Sequence, residues 1–105
     1  MDIADLQKLC DDGKIRWTVH VLKRLLQRGI SQTDAVQAIQ SGEIIEDYPG
    51  NYPYPSCLLL GSDAAGDALH VCCGRGTDEL WMITAYHPDP KEWENDLKTR
   101  RKVQQ

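Results

Sequence analysis

The chain has 105 residues, a net charge of −4 and 41% hydrophobic residues, which is the length and composition of one globular domain spanning residues 1–105. No apolar run approaches the roughly 20 residues that cross a bilayer, so no membrane contact is expected. The acidic N-terminus lacks the basic and apolar regions of a secretory signal, and we therefore expect a cytoplasmic protein.

The charge is distributed unevenly along the sequence. Residues 1–30 hold six basic and four acidic side chains, whereas residues 31–66 hold five acidic side chains and no basic one. A local basic patch attracts polyanions even when the net charge is negative. The acidic middle, in contrast, favours a basic partner.

The cysteines predict thiols and no metal centre. Cys10, Cys57, Cys72 and Cys73 form no C-x-x-C pair. In a cytosolic chain such residues are more often reduced than bridged. Although four cysteines and three histidines could still converge in space, we expect neither a bound metal nor a cofactor.

Three helices are predicted in the N-terminal part of the chain. They span residues 3–12, 18–28 and 31–41. Thr18 and Ser31 are favourable N-cap residues for the second and third helices. Gly29 and Gly42 are the residues at which these two helices are expected to end.

The second helix carries two neighbouring stripes of side chains. Three- and four-residue spacings predict a buried apolar stripe of Val19, Leu22, Leu25 and Leu26. His20, Arg24 and Arg28 recur every fourth residue and form a basic stripe beside it. One imidazole above two guanidiniums suits a phosphate-rich ligand.

After Gly42 the pattern changes to strands joined by short turns. Strands are predicted over residues 43–48, 57–62, 67–73 and 79–86, and short turns favour an antiparallel meander. Three prolines in residues 49–55 predict an extended loop between the first two strands. The tyrosines of this region, Tyr48, Tyr52 and Tyr54, could stack on single-stranded RNA or could cover the sheet edge.

Asp89-Pro90 predicts a last helix over residues 90–101, with Asp89 as its N-cap. Trp93 and Leu97, four residues apart, would dock this helix on the core. The expected fold class is therefore α+β: N-terminal helices, a four-stranded antiparallel sheet and a C-terminal helix, with the helices packed on one face.

Several blocks of the sequence are typical of one family. They are His20-x-x-x-Arg24-x-x-x-Arg28-Gly29-Ile30-Ser31, Gly42-Glu43-Ile44-Ile45-Glu46-Asp47-Tyr48-Pro49, Pro53-Tyr54-Pro55-Ser56, Leu69-His70-Val71, Ile83-Thr84-Ala85-Tyr86-x-Pro88-Asp89-Pro90 and Trp93-Glu94. Over residues 15–101 the chain resembles a small uncharacterised bacterial "DUF" family that is distantly related to the RelE and BrnT toxins.

The resemblance implies a RelE-like fold and the role of a toxin in a type II toxin–antitoxin pair. Such toxins are ribonucleases, some of which need the ribosome. The implied partners are RNA or the ribosome and a cognate antitoxin, which in such gene pairs often has a small zinc-finger domain. The matching site positions are His20, Arg24 and Arg28 on the helix, with His70 and Tyr86 on the strands.

Metal-independent RNA cleavage needs a base, an acid and cations that stabilise charge on phosphorus. The residues predicted to be catalytic are His20, Arg24 and His70. Those predicted to bind RNA are Arg28, Tyr86, Arg100 and Arg101. Each also has an ordinary structural explanation: a solvated helix face, a hydrogen-bonded histidine, a buried tyrosine or a basic helix end.

Two functions therefore remain open. The His20 stripe favours a toxin that cleaves RNA. The sequence pI of 5.2 favours the alternative, a non-enzymatic binding module with the same fold. In either case we expect the uncovered sheet face and the acidic middle to meet a basic or apolar segment of an antitoxin.

Overall fold

The computed structural model describes residues 1–102, which form three helices and five strands. In chain order these are α1 (Ile3–Asp11), β1 (Ile15–Arg16), α2 (Val19–Gln27), α3 (Gln32–Gln40), β2 (Glu43–Tyr48), β3 (Ser56–Ser62), β4 (Ala68–Arg75) and β5 (Leu80–Tyr86). The predicted α+β class is confirmed. Within residues 1–102, no helix is long and apolar enough to cross a membrane.

The predicted caps define the boundaries of α2 and α3. Thr18 Oγ1 accepts a hydrogen bond from the Val21 amide at 3.1 Å, and Ser31 Oγ accepts one from the Asp34 amide at 3.0 Å. Gly29 follows α2 with a φ of +67°, a conformation that glycine adopts without a steric penalty. Both helices therefore lie within about two residues of their predicted bounds.

The sheet is mixed and five-stranded, so the prediction of four antiparallel strands is wrong in detail. Its order is β1-β5-β4-β3-β2, in which β2 to β5 form the expected antiparallel meander. β1 pairs in parallel with β5, with Ile15 opposite Leu80 and Arg16 opposite Trp81. The sequence around β1 gave no sign of this pairing because the partner strand lies far along the chain.

The helices pack on one sheet face, and α2 buries a narrower surface than predicted. Val21 and Leu25 are 0% and 2% exposed and join the core. Val19, Leu22 and Leu26 are 73%, 37% and 83% exposed, so only Leu25 of the predicted stripe is buried. The physical reason is that α2 packs mainly against β5, a strand near the sheet edge, so only the side chains turned towards that strand are covered.

The helix predicted over residues 90–101 does not form. The Trp93 amide donates to the Asp89 carbonyl at 3.1 Å and closes a single turn. The Asp96 carboxylate then accepts from the backbone amides two and three residues later, at 2.9 and 3.0 Å. Side-chain acceptors of this kind compete with helical hydrogen bonds. The chain reverses, and Trp93 pairs with Arg100 in an isolated antiparallel bridge.

Residues 89–101, hereafter the C-terminal segment, cover part of the sheet face opposite the helices. Leu69 and Val71 of β4 point into the helix-side core, so the intervening His70 points to the opposite face. Trp93 lies over His70 with ring centroids 4.5 Å apart and is only 2% exposed. The second sheet face is therefore partly enclosed.

Candidate functional site

The exposed side of α2 carries three cationic or titratable side chains. His20 lies in the first turn after the Thr18 cap, and Lys23 and Arg24 lie one turn further along. All three are exposed, and within residues 1–102 none of their side chains has a hydrogen-bond or ion-pair partner. α2 itself contains no acidic residue. We call His20, Lys23 and Arg24 the α2 basic face.

Arg28 follows α2 and turns towards the sheet instead of joining this face. Its Nη1 donates to Thr84 Oγ1 at 2.8 Å and to the Ala85 carbonyl at 2.9 Å. These bonds fix the end of α2 to β5. Arg28 thus bonds to the two residues that precede Tyr86 in β5, whereas the Tyr86 hydroxyl lies against His70.

His70 is fully buried, and both of its ring nitrogens have partners within the chain. Nε2 lies 2.7 Å from the Leu97 carbonyl, which only accepts, so this nitrogen carries the proton. Nδ1 therefore accepts from the Tyr86 hydroxyl at 3.3 Å. With Trp93 packed edge-on against the ring, these residues form what we call the His70 cluster.

The His70 cluster favours uncharged side chains. Burial lowers the pKa of His70, and burial also raises the pKa of Tyr86. A neutral imidazole and a neutral phenol are thus the stable forms near neutral pH. A general base must reach the proton that it removes, and His70 is 0% exposed beneath the C-terminal segment.

The two C-terminal arginines predicted to bind RNA are engaged inside the chain. Arg100 donates to both Glu46 oxygens at 2.8 and 2.9 Å and lies 4.6 Å above the Trp93 ring. The Arg100 guanidinium holds the pKa of Glu46 below its usual value. Arg101 donates to Glu94 at 2.9 Å. Arg100 thereby attaches the C-terminal segment to β2, and Arg101 joins two parts of the segment to each other.

The predicted catalytic residues thus fall into two separate places. His20 and Arg24 lie together on a helix that packs against β5 from the core side. His70 lies on the other face of the sheet, with Tyr86. The sheet therefore separates His20 from His70, and one phosphate does not reach both imidazoles.

An aromatic groove of about 280 Å³ lies on the second sheet face, beside the loop of residues 49–55. Its aromatic and apolar walls are Tyr52, Pro53, Tyr54, Gly74, Trp81 and Ile83. Tyr54 stacks on Trp81 with ring centroids 5.8 Å apart. The loop tyrosines were expected from the sequence to stack on RNA or to cover the sheet edge, whereas Trp81 was not predicted to lie beside them. The alternation of Trp81 and Ile83 along β5 is the signal that could have added both.

Cysteines and possible metal ligands remain dispersed. All four cysteines are free, and Cys57 and Cys73 face each other across β3 and β4 with their Sγ atoms 3.9 Å apart. In the part of the chain that the structure describes, no three histidine, cysteine or acidic side chains are grouped closely enough to hold an ion. The expected absence of a metal and a cofactor stays a prediction.

Comparison with known proteins identifies one family. A family model described as a domain of unknown function, DUF4258, matches residues 17–87, which is most of the chain. The chain belongs to the DUF4258 family. No curated protein and no solved structure matches it. The DUF4258 match runs from α2 through β5, so it includes the α2 basic face and the aromatic groove, whereas the C-terminal segment lies beyond it.

Proposed function

We propose that this DUF4258 protein is a toxin related to RelE and BrnT that cleaves RNA at the α2 basic face. One observation carries the proposal. Within residues 1–102, Arg24 is the only arginine whose guanidinium has no hydrogen-bond or ion-pair partner, and it lies one turn from an exposed histidine. An unpaired guanidinium on a chain of net charge −4 is available to a phosphate.

The spacing of His20 and Arg24 suits one phosphodiester. Four residues of helix rise about 6 Å, so the two side chains reach the same group. His20 takes the proton of the ribose 2′-hydroxyl, and the 2′-oxygen attacks phosphorus. Arg24 stabilises the added negative charge on the non-bridging oxygens. The bond from phosphorus to the 5′-oxygen breaks, and water protonates the leaving oxygen.

The products are a 2′,3′-cyclic phosphate and a 5′-hydroxyl end. His70 has no part in this scheme because it is enclosed by Tyr86 and the C-terminal segment. Arg28 acts as a positioning residue, since its bonds to Thr84 and Ala85 hold the end of α2 on the sheet.

Growth arrest tests the proposal. We expect His20→Ala and Arg24→Ala each to abolish toxicity in a bacterial host, because losing an acid–base group or an electrostatic stabiliser costs about a hundredfold to ten-thousandfold in rate. Circular dichroism should show unchanged folding, since both side chains are exposed. Leu26→Ala, on the same helix but outside the basic face, is the matched control and should remain toxic. If both variants fold and stay fully toxic, the assignment is wrong.

The proposed partner is a cognate antitoxin of the kind that has a small zinc-finger domain. We expect the antitoxin to cover the exposed apolar side chains of α2, which are Val19, Leu22 and Leu26, and the acidic side chains of residues 31–66. The sheet face expected from the sequence is partly covered by the C-terminal segment, so the exposed side of α2 replaces it. Co-expression with the adjacent gene followed by size-exclusion chromatography tests this. Two separate peaks at micromolar concentration would contradict the pairing.

A second candidate function is a binding module without catalysis. The burial of His70 favours it, because the accessible site then holds a single histidine instead of a pair. Such a module would bind RNA through Lys23 and Arg24 without cutting it. Incubation of purified protein with labelled RNA, with and without ribosomes, separates the two, since only the enzyme produces 2′,3′-cyclic phosphate ends.

A further inference from the structure

The aromatic groove contains exposed ring surface that the core does not use. The Tyr52 side chain is 96% exposed at the groove, and Ile83 at its wall is 46% exposed. Large aromatic side chains are usually well buried, so an almost completely exposed ring beside a stacked Tyr54–Trp81 pair is available to a ligand. The shape is concave and the walls are flat rings, which suits a planar ligand.

One end of the groove is polar. The Asn51 amide donates one hydrogen bond to Ser56 Oγ at 2.6 Å. Its second N–H and its carbonyl oxygen remain for another partner. A planar ligand with donors and acceptors on its edge would satisfy these groups while its face stacks on the rings. A nucleobase has this chemistry.

The groove also adjoins a cationic path. The Arg16 guanidinium lies 5.2 Å from the centre of the Trp81 ring and pairs with Glu79 at 3.2 Å. Both members of this pair are substantially exposed, so exchanging Glu79 for a phosphate costs little. His20 lies four residues after Arg16, and four extended residues span at most about 14 Å. A nucleic-acid backbone can thus run from the groove to the α2 basic face.

We propose that the aromatic groove holds one unstacked base of single-stranded RNA, stacked on Tyr52, with the backbone running along Arg16 towards His20. This inference deepens the proposed function and rests on it for the direction of the backbone. It makes the substrate single-stranded, because a paired base is not free to enter the groove.

A proline-rich peptide is the other ligand that aromatic grooves commonly hold. Its backbone carbonyls would need a donor at the groove surface, and the indole N–H is the natural one. Trp81 Nε1, however, is buried and has no partner within residues 1–102. It lies against the turn at Gly76, where an added Cβ would be 2.9 Å from the nitrogen. The indole donor is therefore closed off to a peptide carbonyl. The groove is left with the free N–H and the free carbonyl oxygen of Asn51, and this donor and acceptor match the edge of a nucleobase.

Binding of a fluorescently labelled 2′-O-methyl oligouridylate, followed by polarisation, tests the proposal. The methyl group blocks cleavage, so binding is measured alone. Tyr52→Ala removes one stacking surface and should weaken binding about five-fold to a hundred-fold. Tyr52→Phe keeps the ring and should bind like the natural protein. Because Tyr52 is almost fully exposed, both variants should fold normally.

Gly74→Ala provides an independent variant that acts from the floor of the groove. The added Cβ would lie 3.6 Å from Ile83 Cδ1 and 3.6 Å from the Pro55 carbonyl, which are ordinary contacts. The strand should therefore fold, while the methyl group occupies space that a base needs. We expect weaker oligonucleotide binding with an unchanged circular dichroism spectrum.

Three results would contradict the proposal that the groove holds a nucleobase. They are no oligonucleotide binding, equal binding by Tyr52→Ala and the natural protein, and binding of a proline-rich peptide in place of the oligonucleotide. Failure of the proposed cleavage is a separate outcome. If His20→Ala remains toxic while Tyr52→Ala still loses oligonucleotide binding, the catalytic role of His20 is wrong, but the binding of a nucleobase in the groove is supported.

Discussion

His20 on the α2 basic face and His70 in the His70 cluster are surrounded in opposite ways. His20 is exposed, and its neighbour Arg24 has no partner within residues 1–102. His70 is enclosed, and Arg100 nearby is held by Glu46 and Trp93. The same residue types thus occur once as available groups and once as a clamp that holds the C-terminal segment on the sheet.

This contrast shows that residue type alone does not identify a reactive histidine. At His70, burial and two hydrogen bonds use the imidazole for structure. At His20, exposure leaves both nitrogens available to a ligand. Substitutions in the His70 cluster should therefore affect stability, and substitutions on the α2 basic face should affect activity. Each of the following measurements can contradict this difference.

The largest stability effect should come from Trp93→Ala. Trp93 is 2% exposed, packs against His70 and lies beneath Arg100. Truncating a buried tryptophan costs about 3–5 kcal/mol in the free energy of unfolding. Urea unfolding measures the loss, with Leu26→Ala as an exposed control expected to change stability by less than about 0.5 kcal/mol. A loss below about 1 kcal/mol would mean that the C-terminal segment packs only loosely.

His70→Ala compared with His20→Ala tests the division directly. His70→Ala leaves the Leu97 carbonyl and the Tyr86 hydroxyl without their partners in an enclosed place, so we expect a loss of about 2–4 kcal/mol. His20→Ala should cost less than about 0.5 kcal/mol. Chemical denaturation of both variants provides the measurement. Equal losses would show that the two histidines do not differ in the way described.

The smallest effect is a pH dependence. Because burial lowers the pKa of His70 below its usual 6.5, the unfolded chain binds a proton more readily than the folded chain. The free energy of unfolding should therefore be unaffected above pH 6.5 and should fall as pH drops below it, by at most about 1.4 kcal/mol per pH unit.

Between pH 7.5 and about 5, this dependence is separate from that of the Glu46 carboxyl, whose lowered pKa places its effect at more acidic pH. His70→Gln has no imidazole and should show a flatter profile in the same range. If the natural protein and His70→Gln have the same slope, the enclosed imidazole does not contribute the dependence.

The helices and the meander could be predicted because their signals are local. Thr18 and Ser31 mark helix starts, and Gly29 has the positive φ that its position required. Pro53 and Pro55 were expected outside the strands, and β3 begins only at Ser56. The adjacency of His20 and Arg24 was likewise a local matter of helical spacing.

The sequence-based predictions were wrong where contacts between distant parts of the chain determine the structure. β1 exists because Ile15 and Arg16 meet β5. The predicted C-terminal helix was wrong because the Asp96 carboxylate takes backbone donors and the segment folds back onto the sheet. The surroundings of His70 depend on that segment, so neither its burial nor its hydrogen bonds could be deduced from the pattern of β4 alone.

The pairing of β1 with β5 also sets an order of assembly. The strands of the meander are close in sequence and close their loops at low entropic cost. β1, in contrast, has no partner until β5 has been synthesised. On the ribosome, α1, α2 and α3 emerge before the sheet that they cover, and helices of nine residues are marginal in water on their own. We therefore expect an unfinished chain to lack a fixed α2 basic face, so that the proposed toxicity would begin only when translation has passed β5.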